Sequence, residues 1–121
     1  ARNDNTAALG AFKRAAELRP DIPEHQHRLS QILMRVGRKD EAAEASSTRG
    51  RLLEAREALR KAWNSFADAY ESDPDSVPPE LVENVGRACA DARMYQESEA
   101  WLAEAERLSA AIEGMSGARN P

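Results

Sequence analysis

The chain has 121 residues, with 17 basic against 21 acidic side chains and a formal charge of −4. This is material for one small domain or a piece of a longer array, and its acidic balance leaves no electrostatic footprint for phosphate backbones, so nucleic-acid binding is not expected. Apolar residues make up 41% of the chain but aromatics only 5%. With strand-favouring residues scarce and no alternating stretch, the Ala-, Leu-, Glu- and Arg-rich composition reads as all-α.

In chain order, Thr6 is placed to cap a first helix over about 7–19, whose apolar positions Ala8, Leu9, Phe12, Ala15, Ala16 and Leu18 run until Pro20 stops them. Asp21-Ile22-Pro23-Glu24 reads as the next start, with Asp21 as cap and proline in the first turn. A second helix over about 24–36 then carries the stripe Leu29, Ile32, Leu33 and Val36 and ends at Gly37. Asp40 is suited to cap a third helix over about 40–72, which holds an approximate helical period from Ala42 through Leu52, Leu59 and Trp63 to Tyr70. Ser46-Ser47-Thr48-Arg49-Gly50 is its weak point, and two shorter helices are the alternative to one long, bent one.

Asp73 to Pro79, with three prolines and two aspartates, is the clearest loop. Beyond it come a fourth helix over about 79–92, with Leu81, Val82, Val85, Ala88 and Cys89, and a fifth over about 95–112, with Ser98, Trp101, Leu102, Ala105 and Leu108. Gly86, alone inside a helix, points to close packing. A flexible tail is expected over 114–121, and a single domain over 1–113.

Catalytic chemistry finds no support. His25 and His27 lie two apart, which turns them about 200° from each other on a helix and prevents joint metal binding. The single cysteine, Cys89, excludes an internal disulfide and sits among alanines as a small buried residue. No phosphate-cradling glycine loop occurs. No cofactor or metal is expected, and Trp63 and Trp101 read as core anchors. No apolar run approaches the roughly 18–20 residues of a membrane span, so a soluble chain, cytoplasmic or periplasmic, is expected.

Internal repetition carries the most information. Ala8-x3-Phe12-x2-Ala15-x4-Pro20 recurs with identical spacing as Ala62-x3-Phe66-x2-Ala69-x4-Pro74. Upstream-helix patterns accompany it: Leu29-Ser30 with Gly37-Arg38-Lys39-Asp40-Glu41-Ala42, and Val85-Gly86 with Arg93-Met94-Tyr95-Gln96-Glu97-Ser98. In these motifs the chain resembles the tetratricopeptide repeat family over residues 7–112. The resemblance implies an antiparallel helix-hairpin solenoid of about five helices that acts as a scaffold or adaptor. Against the family's repeat of about 34 residues, the middle unit is roughly 20 residues too long, which makes its second helix unusually extended. The first copy lacks its first helix, so the chain reads as a partial array. Arg93 stands where glycine is frequent.

A concave groove lined by first helices is further implied by the resemblance. It makes His27, Arg28, Gln31 and Arg35 on the second helix, and Asn84, Arg87 and Asp91 on the fourth, the partner-binding candidates. The carboxylate clamp of chaperone-binding relatives does not carry over, since His27 and Gln31 occupy the places of its lysine and asparagine. The expected partner is a protein or peptide. The alternative is a structural segment or spacer within a larger bacterial protein, with homo-oligomers formed through the unpaired first helix or the long one.

Overall fold

Local signals decide where the helices break. The computed structural model describes residues 2–119, and among these every regular element is helical: α1 Arg2–Leu18, α2 Pro23–Arg35, α3 Lys39–Ser72, a 3-10 turn Pro74–Ser76, α4 Pro79–Asp91 and α5 Tyr95–Arg119. The chain divides into two compact units, Ala1–Glu54 and Ala55–Pro121. Helix α3 contributes its N-terminal part to the first unit and its C-terminal part to the second.

Several boundaries move from the expected positions. Helix α1 begins at Arg2, so Thr6 lies inside it rather than capping it. Asp21 does not cap α2; the N-cap is Ile22, which makes no side-chain hydrogen bond, with Pro23 at the helix start. Asp21 is instead buried and accepts the Arg19 guanidinium in a fork, Nε to Oδ1 at 3.0 Å and Nη2 to Oδ2 at 2.9 Å. A bidentate, charge-assisted pair outcompetes a single cap bond. Helix α3 begins one residue before Asp40, which falls in its first turn. Helix α5 passes Ile112 and continues to Arg119, so most of the expected tail is helical; residues 120 and 121 lie outside the described part.

Helix α3 runs unbroken through Ser46–Gly50. Ala45, Thr48 and Leu52, three and seven residues apart, are all buried there, and Arg51 donates to the Thr48 hydroxyl at 3.2 Å. Burial of that stripe outweighs propensity penalties of about 0.5–1 kcal/mol per residue.

In the first unit, α1 packs on α2, and Leu33, Ala42 and Ala45 form a buried cluster onto which Leu9 and Leu29 close. In the second, α4 packs on α5. Val82, Val85, Gly86, Ala88 and Cys89 of α4 are buried there, with Ser98 and Ala105 of α5. A β-carbon built on Gly86 would lie 2.8 and 2.9 Å from the Leu102 side chain and 3.2 Å from its backbone nitrogen. Only a glycine permits this approach.

Helices α2 and α4 end in the same backbone turn. After α2, Gly37 N–H donates to the Met34 carbonyl at 3.1 Å and Arg38 N–H to that of Leu33 at 2.9 Å, with Gly37 left-handed at φ 82°. After α4, Arg93 N–H donates to Ala90 at 2.9 Å and Met94 N–H to Cys89 at 2.8 Å, with Arg93 at φ 62°. Both are Schellman closures, and Arg93 holds without glycine's freedom the conformation that glycine holds at position 37.

Chemical denaturation checks three consequences. Gly86→Ala is expected to destabilise by about 1–3 kcal/mol, because Leu102 must shift against its own backbone. Gly50→Ala, with nothing within 4 Å of the added carbon, is expected to stabilise by about 0.5–1 kcal/mol. Arg93→Gly is expected to stabilise by about 0.5–1 kcal/mol through relief of the left-handed strain.

Candidate functional site

Helix α2 places Arg28, Gln31 and Arg35 on one face at offsets of three and seven residues, next to the buried Ile32. These residues line one side of a groove of about 260 Å³ in the first unit. Helix α1 supplies the opposite side with Asp4, Asn5, Ala8 and Phe12. The groove therefore has an apolar floor between polar walls. Arg28 Nε donates to Glu24 at 2.9 Å, and both side chains are more than half exposed. Such a pair contributes little and exchanges readily for another carboxylate. His27 does not line this groove; it is half-buried, and its carbonyl accepts the Ser30 hydroxyl at 2.8 Å. Three of the four α2 candidates thus come together and one stands aside.

On α4, Asn84, Arg87 and Asp91 are exposed along a single stripe, and Arg87 is ion-paired with Glu83. The opposite, buried side of α4, with Val85 and Cys89, meets a groove of about 370 Å³ in the second unit. Leu59 and Trp63 of α3, Met94, and Trp101 of α5 complete its apolar wall, while Arg56, Arg60 and Glu97 also border it. The three α4 candidates do not line it.

Aromatic packing builds that wall. Trp63, Phe66 and Tyr70 follow one another on α3 at offsets of three and seven, and Trp101 meets the first two from α5. Trp101 stands edge-on to Trp63 at 5.7 Å and 86°, and to Phe66 at 5.1 Å and 80°. Phe66 lies 5.5 Å from Trp63 and 5.9 Å from Tyr70. Edge-to-face pairs of this kind contribute about 0.5–1.5 kcal/mol each beyond area burial. Trp63 nevertheless stays 46% exposed and Tyr70 53%, which corrects the reading of Trp63 as a core anchor. Phe66 and Trp101 also border a second, smaller depression with Tyr70, Val77, Val82 and Leu108. The helical offsets of 63, 66 and 70 were the available signal for this cluster, since four of the six aromatic residues gather there. The contribution of Trp101 had none, because it depends on how α5 meets α3.

Arg60 clasps Glu57, and that hydrogen bond, first, holds the carboxyl below its ordinary range. Cys89 is 3% exposed at the groove floor. Burial chiefly, and the Glu97 carboxylate next, push its thiol above the ordinary range. At neutral pH it is therefore protonated, a poor nucleophile and a poor metal ligand. Among the described residues no group of three or more His, Cys, Asp or Glu side chains is arranged to hold a metal ion. No helix among them is long and apolar enough to cross a membrane.

The raised thiol has a kinetic signature. Iodoacetamide alkylation of Cys89 at pH 8, followed by intact mass, is expected to run at least about tenfold slower than that of glutathione and to recover in denaturant. An equal rate in the native protein would show that the thiol is open and ionised.

Comparison of the chain with protein-family models, with curated proteins and with solved structures finds no match.

Proposed function

We propose that this chain is a protein-interaction module and not an enzyme, a tetratricopeptide-like helix-hairpin solenoid that holds a segment of a partner protein in its grooves. One observation carries the reading: Trp63, a large ring, is left half-exposed in the wall of an apolar groove that Arg56 and Arg60 border. Tryptophan and arginine dominate binding hot spots, because a ring buries much area at little entropic cost and a guanidinium anchors carboxylates and carbonyls. The fitting ligand is a peptide that inserts one bulky apolar side chain beside Trp63.

The repeated Ala-Phe-Ala-Pro pattern and the shared turn at Gly37 and Arg93 support the repeat reading. Within it, Arg28, Gln31 and Arg35, with His27 beside them, and Asn84, Arg87 and Asp91 on α4 are the polar contacts for partner carboxylates and backbone.

Selection of a random peptide library on the immobilised wild-type protein is expected to enrich sequences with a bulky apolar residue. Trp63→Ala is expected to weaken the winners by at least about tenfold, or ~1.4 kcal/mol. In a Trp101→Phe background, Trp63 is the sole tryptophan and its emission should shift on binding. Failure to enrich any peptide, or equal affinity in Trp63→Ala, would remove this groove as the binding site.

A further inference from the structure

The α4–α5 hairpin has a second slot, of about 360 Å³, away from the aromatic wall. Helix α5 lines it with Leu102, Ala105, Glu106, Ser109, Ala110 and Glu113, and α4 with Glu83. Its floor is small and apolar, and its edges are acidic. Glu83 is engaged by Arg87. Glu106 and Glu113 are exposed and form no ion pair among the described residues. The register set by Gly86 against Leu102 places the start of α4, Pro79, opposite about Ser109. The turns of α5 beyond that point have no α4 residue facing them.

The face of α2 in the first unit repeats this layout with the opposite charge. Arg28, Gln31, Ile32 and Arg35 line one groove at offsets of zero, three, four and seven. Glu106, Ser109, Ala110 and Glu113 line one slot at the same offsets. In each case two like charges stand about 10.5 Å apart along a helix, flanking one polar and one apolar residue. Arg35 has no ion pair among the described residues, and Arg28 has only the exposed Glu24. Asp4, which also borders the α2 groove, already has a partner of its own.

We propose that a second copy of this chain occupies the α2 groove. Helix α5 of one copy lays its Glu106–Glu113 face along the Arg28–Arg35 face of another, so that both charge pairs meet in register over Ile32 and Ala110. The contact is heterologous, joining different surfaces of the two copies. It differs from self-association through α1 or α3. It rests on the interaction-module reading only in giving one of that module's faces an occupant, and it does not involve Trp63. Two turns of helix make a small interface against the roughly 1,600 Å² of stable complexes. The association is therefore weak, and ionic screening weakens it further.

Sedimentation velocity with charge-reversed full-length chains tests it. In about 50 mM salt the wild type is expected to sediment faster with rising concentration, and in about 500 mM to return to monomer. Glu106→Arg/Glu113→Arg and Arg28→Glu/Arg35→Glu should each remain monomeric at low salt, because both set like charges against like. An equimolar mixture of the two should associate again, and so should the chain carrying all four reversals. All four side chains are exposed, and unchanged circular dichroism confirms that folding is intact. A wild type that stays monomeric throughout, variants that associate as the wild type does, or a mixture that fails to recover would each overturn the proposal. Peptide binding at Trp63 is read separately, so either result stands without the other.

Discussion

At Gly86 the backbone of α4 comes so close to α5 that the Leu102 side chain rests where a β-carbon would stand. Much of the second unit depends on that approach. Val82, Val85, Ala88, Cys89 and Ala105 are small enough to be buried between helices held this near, and they supply the area that drives packing. The first unit follows the same economy of volume, with Ala42 and Ala45 against Leu33. A hairpin interface lined by residues of this size has no room for indole or phenol rings.

The rings are consequently gathered elsewhere. Trp63 and Phe66 meet Trp101 edge-to-face along the α3–α5 contact of the second unit, with Tyr70 against Phe66, and Trp63 and Tyr70 are left half in solvent. Tight alanine packing and a half-exposed aromatic wall are thus linked through side-chain volume. The surface left by this sorting is the one proposed above to take an apolar group from another molecule.

Charge is sorted in a comparable way. Glu24 with Arg28, Glu57 with Arg60, Glu83 with Arg87 and Glu104 with Arg107 are three or four residues apart on the same helix, and Arg38, just before α3, pairs with Glu41 in its first turn. Such pairs support helices locally and do little for the tertiary fold. Five of the fourteen arginines are spent in this way on a neighbour about one turn away. Charges outside these pairs, Arg35, Glu106 and Glu113, have free capacity for intermolecular contacts.

The sequence by itself determined the helical class, the order of the helices, and the turns at Gly37 and Arg93, because proline, glycine and apolar periodicity act within a few residues; it left the start of α1 and the end of α5 five and seven residues short. It also marked Gly86 as a point of close approach. Of the candidate site, the resemblance singled out His27, Arg28, Gln31 and Arg35 on α2, and helical offsets bring the last three to one groove while His27 stands aside. Tertiary structure decided the rest: that Asp21 takes Arg19 instead of capping α2, that burial of Thr48 and Leu52 carries α3 past Gly50, and that Trp63 stands half-open against Trp101. Each of these turns on side chains meeting in space or on how much solvent a neighbour removes, and helical spacing within one segment specifies neither.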